Sequence, residues 1–111
     1  MDNGKPHWVK MLYRITGAES KRPEKPNKYH HRMTGKRCGI EYLGRGSMCY
    51  LWIEGLQEWE EYSRFYTTTV MDIRGEDGVM TIETENSVYT LTREEGIDHA
   101  ESETYGRDVV S

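Results

Sequence analysis

The chain has 111 residues, a formal net charge of −4, 35% hydrophobic residues and 31% charged residues. This length and composition suit a single domain over residues 1–111 with one small core, and they argue against a two-domain enzyme with a large substrate cleft. No apolar run is long enough to span a membrane, and no charged-then-apolar leader opens the sequence. We therefore expect a soluble, cytoplasmic protein.

Charge is divided unevenly along the chain. Residues 1–46 carry 11 basic and 4 acidic side chains, a net of +7, whereas residues 47–111 carry 4 basic and 15 acidic side chains, a net of −11. Charge that serves solubility alone has no reason to be sorted in this way. The two parts are therefore candidates for contact with a partner or with each other.

The first predicted strand covers residues 8–16. Apolar residues occupy every second position from Val9 to Ile15, which is the pattern of a strand with one buried face. Gly17 is expected to end this strand.

Residues 17–37 are predicted to form a long basic loop or arm. They contain two prolines and seven Lys or Arg residues but almost nothing apolar, and both proline and repelling charge disfavour regular structure. The basic side chains here are interleaved with Tyr29, His30 and His31, and this pattern suits contact with a phosphate backbone while a ring stacks on a base. The alternatives are a solvated linker, or an arm that folds over the protein's own acidic half. The candidate arm residues are Lys21, Arg22, Lys25, Lys28, Tyr29, Arg32, Lys36 and Arg37.

A hairpin is predicted next, with strands at 38–43 and 48–54 joined by a four-residue connection at 44–47. Counted outward from that connection, Cys38 lies opposite Ile53. Cys49 then lies opposite Tyr42 near the turn, four residues away along the strands, which is too far for a disulfide in this register. We expect two buried thiols.

Residues 55–65 are open to two interpretations. Leu56, Trp59, Tyr62 and Phe65 recur at a spacing of three, which fits a short amphipathic helix. The other interpretation is an acidic loop with exposed aromatic side chains.

The clearest pattern is a three-stranded antiparallel meander. Strands are predicted at 65–73, 79–84 and 87–92, because these segments are rich in β-branched residues and are separated by turn signals. Together, the six short strands predict a mainly β fold, namely a small antiparallel barrel or roll of five to six strands, SH3-like or OB-like. The acidic tail, 93–111, is expected to be frayed.

No catalytic or metal site is expected. Two histidines, His30 and His31, and the two cysteines do not follow the close ligand spacing of structural zinc sites. The serines have no evident base partner, and no acid pair or phosphate-binding loop is recognisable. We therefore expect neither an enzyme nor a bound cofactor.

The acidic half of the chain carries the leading candidate site. Several carboxylates surround two aromatic residues of the kind that anchor protein interfaces, and charge around such anchors sets orientation and association rate. The simpler interpretation is solubility charge on the outer face of a sheet. The candidate partner-binding residues are Glu54, Glu58, Trp59, Glu60, Glu61 and Tyr62.

In its size and in the meander RFYTTTVMDI…GVMTIETENSVYTL (64–91), the chain resembles the short accessory proteins of phages and mobile elements. Among them it is similar to anti-CRISPR and other anti-defence inhibitors, which are small, often acidic and without catalytic groups. The resemblance implies a stoichiometric inhibitor in the cytoplasm of a bacterial host cell. Its partner would be a protein with a basic surface, such as a CRISPR effector or another nucleic-acid enzyme.

Two further hypotheses follow from the charge division. The first is a small β-barrel that binds RNA or DNA through the arm at 21–37. The second is a homo-oligomer in which the basic arm of one subunit lies on the acidic face of the next.

Overall fold

The computed structural model describes residues 4–94, which form a closed barrel of six antiparallel strands with one short helix. Each strand pairs with the next along the chain, and the last strand pairs with the first. This architecture confirms the predicted mainly β fold and the small barrel. In chain order the elements are β1 Tyr13–Ser20, α1 Lys28–Met33, β2 Arg37–Tyr42, β3 Met48–Glu54, β4 Tyr62–Glu76, β5 Val79–Thr84 and β6 Ser87–Arg93. Within the described range, no helix is long and apolar enough to cross a membrane.

Apolar side chains from all six strands fill the interior of the barrel. Alternate residues of a strand point to the same face, so each strand places its apolar set inward and leaves the other set outside. Helix α1 adds Met33 to the same core. The fully buried strand residues of this core are Ile15, Cys38, Cys49, Leu51, Ile53, Val70, Ile82 and Leu91.

The prediction of a first strand over 8–16 is wrong at both ends. The alternating residues Val9 and Met11 pack outside the barrel against Trp52 of β3, in a second small cluster. The backbone of this segment passes directly over Gly39, where a Cβ would overlap the carbonyl oxygen of Lys10. Strand β1 begins later and continues past Gly17, with a register shift between Ile15 and Gly17.

The hairpin of β2 and β3 is confirmed, and Cys38 pairs with Ile53 as predicted. A register shift between Ile40 and Tyr42 then places Tyr42 opposite Tyr50 instead of Cys49. Both cysteines are free and buried, which confirms the expectation of buried thiols.

The prediction of a loop over 17–37 is wrong in three places. Residues 17–20 belong to β1, residues 28–33 form α1, and Arg37 begins β2. The helix begins because the side chain of Asn27 accepts a hydrogen bond from the backbone N–H of Tyr29 at 2.8 Å, as an N-cap residue does. Its buried side chains, His30 and Met33, hold it on the barrel.

Residues 55–61 form a loop between β3 and β4, so the helical interpretation of 55–65 is wrong. The meander of β4, β5 and β6 is confirmed, although β4 begins earlier than predicted, at Tyr62. Asp77 and Gly78 make the β4–β5 turn with φ values of 54° and 78°, as a two-residue hairpin turn requires. Of the predicted tail, Arg93 ends β6, and residues 95–111 lie outside the described residues.

Candidate functional site

A polar cavity of about 270 Å³ lies at the end of the barrel where β1 ends and β6 begins. Its wall combines two cationic side chains, two amides and several hydroxyl groups, and none of the residues that line it is an Asp or a Glu. Such a wall offers hydrogen-bond donors and positive charge, which suits an anionic ligand. The lining residues are Ser20, Arg22, Lys25, Asn27, Tyr66, Thr67, Thr68, Asn86, Ser87 and Tyr89.

The segment that follows β1 is held against the barrel by hydrogen bonds. The backbone N–H of Lys21 donates to the carbonyl oxygen of Asn86 at 2.8 Å. The hydroxyl of Ser20 accepts from the N–H of Arg22 at 3.0 Å and lies 3.3 Å from the carbonyl oxygen of Lys25, to which it donates. These bonds fix the backbone of Arg22 and Lys25 and leave both side chains at the cavity.

The floor of the cavity rests on a buried network around His30. Its Nε2 lies 3.2 Å from the hydroxyl of Tyr89 and 3.2 Å from the hydroxyl of Ser87. Burial lowers the pKa of His30 below its ordinary value and raises the pKa of Tyr89. His30 is therefore neutral at pH 7 and Tyr89 is protonated.

The structure gives Ser87 a histidine partner, although the sequence analysis found no base for any serine. The arrangement still differs from an activated nucleophile, because the hydroxyl of Tyr89 shares the same ring nitrogen of His30. In residues 4–94 no side chain binds the other ring nitrogen, which a catalytic dyad uses for its orienting group. The network therefore holds Ser87 and Tyr89 in place.

Beside the cavity, three tyrosines form a row across the outer face of β2, β3 and β4. Tyr42 pairs with Tyr50, and Tyr50 pairs with Tyr66, with ring centroids 6.0 and 5.3 Å apart. Tyr42 is 50% exposed and Tyr66 is 55% exposed. The guanidinium of Arg64 lies 4.7 Å from the ring centroid of Tyr50 and 5.1 Å from that of Tyr66. We call Tyr42, Tyr50 and Tyr66 the tyrosine row.

Tyr66 joins the cavity to a second, shallower depression. That depression is lined by Asn27 and Tyr29, by Arg64 and Phe65 of β4, and by three residues of the β3–β4 loop, which include one carboxylate: Leu56, Gln57 and Glu60. Tyr29 packs edge-on against Phe65, with ring centroids 6.4 Å apart. The cavity, this depression and the tyrosine row form one continuous surface, which we call the groove.

The predicted arm residues divide into two groups. Lys21 makes an ion pair with Glu83 at 2.6 Å, and Arg37 makes one with Glu54 at 3.6 Å. Arg32 instead donates to the carbonyl oxygen of Leu56 at 2.8 Å. For Lys21 and Arg37, the alternative in which the arm meets the protein's own acidic residues is therefore correct.

The other group has no ion pair with any carboxylate in the described part of the chain. Arg22 and Lys25 line the cavity, and Lys28 lies over the ring of Tyr29, with its Nζ 5.3 Å from the ring centroid. Lys36 lies away from the cavity, beside Gly55. The groove therefore brings together Arg22, Lys25, Lys28 and Tyr29 from the predicted set.

The predicted acidic site is only partly a free surface. Trp59 is 78% exposed at the tip of the β3–β4 loop, and Glu58 and Glu61 are exposed beside it. Glu60 instead accepts a hydrogen bond from the hydroxyl of Ser63 at 2.6 Å. Glu54 is the partner of Arg37, as described above.

Tyr62 does not lie with Trp59 on an exposed face. It is half-buried and packs against the cluster of Val9, Met11 and Trp52. Burial, followed by the charge of Glu61, raises the pKa of its hydroxyl. The prediction of Tyr62 as an exposed anchor is wrong, because the N-terminal segment covers it.

The residues considered for zinc are dispersed. His30 belongs to the network of Ser87 and Tyr89, while Cys38 and Cys49 lie in the barrel core. Across residues 4–94, no three His, Cys, Asp or Glu side chains come together as a metal site.

Five residues that complete the groove carry no functional signal of their own in the sequence pattern. Asn86, Ser87 and Tyr89 lie in a predicted turn and strand, and Arg64 and Tyr66 lie in the predicted meander, but none was assigned a function. A usable signal was the excess of tyrosine, eight residues in the chain, combined with the hairpin register that aligns Tyr42 with Tyr50.

No protein-family model matches this chain, and no match was found among curated proteins or solved structures. The similarity to anti-CRISPR and anti-defence inhibitors stays a prediction.

Proposed function

We propose that this protein binds single-stranded nucleic acid in the groove and catalyses no reaction. One observation carries the proposal: cationic side chains that have no carboxylate partner within residues 4–94 lie directly beside exposed, aligned tyrosines. Arg22 and Lys25 share the cavity with Tyr66, and no carboxylate lines it. Sequence-independent binding of single strands uses this combination of a positive groove and aromatic stacking surfaces.

Different side chains of the groove suit the phosphates and the bases of a nucleic-acid strand. Arg22, Lys25 and Lys28 supply positive charge for phosphates, and Tyr66 and Tyr42 expose ring faces on which bases stack. Duplex bases are already stacked on their neighbours and present no free face to a surface tyrosine. The proposal therefore favours single strands over duplexes.

Stacking on Tyr66 is tested by the fluorescence anisotropy of labelled oligothymidine and oligouridine. Loss of one stacked base costs about 1–3 kcal/mol, so Tyr66→Ala is expected to weaken binding about 5- to 150-fold, since 1.4 kcal/mol is a factor of ten. Tyr66→Phe keeps the ring and is expected to retain most of the affinity. Trp59→Ala is the matched control, because it removes an exposed ring outside the groove.

Two results would contradict the proposal. One is equal loss of affinity in Tyr66→Ala and Trp59→Ala. The other is the absence of oligonucleotide binding by the wild-type chain at low salt.

A second candidate function is the docking of the β3–β4 loop on a basic protein surface, as in an inhibitor of a CRISPR effector or another nucleic-acid enzyme. The observation that favours it is the exposure of Trp59, 78%, between the exposed carboxylates Glu58 and Glu61. Capture of a protein from nuclease-treated host lysate tests it. The captured protein is expected to be lost with Trp59→Ala and retained with Tyr66→Ala.

The homo-oligomer hypothesis has a separate test. Light scattering at low and high salt would show a salt-sensitive oligomer if the basic segment of one subunit met the acidic face of another, because salt screens such contacts. A mass equal to the monomer at both salt concentrations would exclude it.

A further inference from the structure

We propose that the cavity at the end of the barrel binds a phosphate monoester, the terminal phosphate of a bound strand. This inference depends on the proposed function, because it assigns one end of the strand to one end of the groove. Three features of the cavity support it: its charge, its buried floor and the exposed tyrosine that it shares with the neighbouring depression.

The charge of the cavity matches a dianionic group. Arg22 and Lys25 are both exposed and have no carboxylate partner in the described part of the chain, while Asn27 and Asn86 add amide groups. A phosphate monoester carries about −1.5 to −2 charges at pH 7 and presents three strong acceptor oxygens. A diester inside a strand carries a single charge and gains less from the same two cations.

The floor of the cavity is closed by buried side chains. Tyr89 is 3% exposed and Ser87 is 5% exposed, and both are held by His30 beneath them. A phosphate inside a strand must continue in two directions, and this floor blocks one of them. A terminal phosphate needs only one exit.

The exit runs over Tyr66. This residue lines both the cavity and the shallower depression beside Arg64, and the residue as a whole is 55% exposed. A phosphate between Arg22 and Lys25 therefore places the neighbouring base at the ring of Tyr66. The rest of the strand continues along the tyrosine row.

The cavity wall is held in position before any ligand arrives. The N–H of Arg22 donates to the hydroxyl of Ser20, and the N–H of Lys21 donates to the carbonyl oxygen of Asn86, which joins the β1 extension to the β5–β6 turn. The backbones that carry Arg22 and Asn86 are thus held together at the cavity wall. Little backbone ordering then opposes the binding of the phosphate.

The test compares three versions of one eight-nucleotide oligothymidine, bearing a 5′-phosphate, a 3′-phosphate or hydroxyl groups at both ends. A charge-assisted hydrogen bond is worth enough for a tenfold effect, so the full-length chain is expected to bind one phosphorylated end at least about tenfold more tightly than the hydroxyl ends. The preference is expected to decline below about pH 6, where the monoester takes up its second proton.

Substitutions at the cavity test whether it causes the preference for a phosphorylated end. Arg22→Ala and Asn86→Asp are expected to reduce the ratio between phosphorylated and hydroxyl ends towards one. Lys21→Ala, beside Arg22 but paired with Glu83, is expected to leave the ratio unchanged. Circular dichroism of each variant confirms that it is folded.

Failure of this inference is distinguishable from failure of the proposed function. Equal affinity for all three oligonucleotides, with Tyr66→Ala still weakening each, overturns the terminal-phosphate site and leaves strand binding intact. Direct binding of inorganic phosphate or thymidine monophosphate, with no binding of any oligonucleotide, overturns both the strand-binding function and the assignment of the cavity to a strand's terminal phosphate. An unchanged preference in Arg22→Ala and Asn86→Asp also overturns the site.

Discussion

Rising salt is expected to weaken strand binding by an amount that follows from the charges in the groove. Three cations there, Arg22, Lys25 and Lys28, have no carboxylate partner among residues 4–94. Arg64 is already paired with Glu41 at 2.9 Å, so it releases fewer counterions on binding. The three unpaired cations therefore set the expected slope.

The magnitude follows from counterion release. Each phosphate that a protein neutralises on a single strand contributes a slope of about −0.7 to the plot of log affinity against log salt. Three contacts give a slope of about −2, which is roughly a 20-fold loss of affinity between 50 and 200 mM salt. A surface of uncharged stacking contacts would give a slope near zero.

The assay is an anisotropy titration of one labelled oligothymidine at several potassium chloride concentrations. Arg22→Ala is expected to make the slope shallower by about 0.7. Lys21→Ala serves as the control, because its ammonium group already pairs with Glu83 and removing it is expected to leave the slope unchanged. Equal slope changes in both variants, or a wild-type slope near zero, would refute the assignment of phosphate contacts.

Three further predictions concern the barrel that supports the groove. Folding lowers the pKa of His30 below its ordinary value, so below about pH 6.5 the unfolded chain binds more protons than the folded chain. The free energy of unfolding is therefore expected to fall as the pH decreases through that range. Urea unfolding at several pH values is expected to show a weaker dependence in His30→Gln, and an identical dependence would contradict the account. Gly39→Ala is expected to destabilise the protein by about 1–3 kcal/mol, because the added methyl group overlaps the segment above it. Gly75→Ala is the control: open space surrounds Gly75, so its free energy of unfolding is expected to change by less than about 0.5 kcal/mol. Equal shifts in melting temperature would show that the segment does not lie on Gly39. Burial raises the pKa of both Cys38 and Cys49 to about 12, so neither thiol is expected to react with a thiol reagent at pH 8 until the protein unfolds, and a fast phase in the native state would refute their burial.

The strands could be predicted from the sequence wherever each one pairs with its neighbour along the chain. The β2–β3 hairpin and the β4–β6 meander join neighbouring segments through short turns, so alternation and turn residues were sufficient to predict them. The segment around Val9 shows the limit of this method. It alternates because one side is covered by Trp52, and alternation alone does not distinguish a covering segment from a strand of the barrel.

The candidate site was predictable only in part, because it is assembled by closure of the barrel. The pairing of β1 with β6 brings Ser20 opposite Ser87, residues that are far apart in sequence. The basic segment was recognised from its composition, but the pairing of Lys21 with Glu83 and the availability of Arg22 depend on this closure. The same holds for Tyr66, whose place in the cavity beside Arg22 and Lys25 depends on the folded barrel.

Two-dimensional amide NMR during titration with oligothymidine maps where a single strand contacts this protein. If the strand binds in the groove, the largest shifts are expected in residues 20–29, residues 64–68 and around Asn86. Smaller shifts are expected at Leu56, Gln57 and Glu60, which line the depression, and none at Glu58 and Trp59. Shifts concentrated on Glu58 and Trp59, or a spectrum unchanged by a saturating strand at low salt, would contradict single-strand binding in the groove.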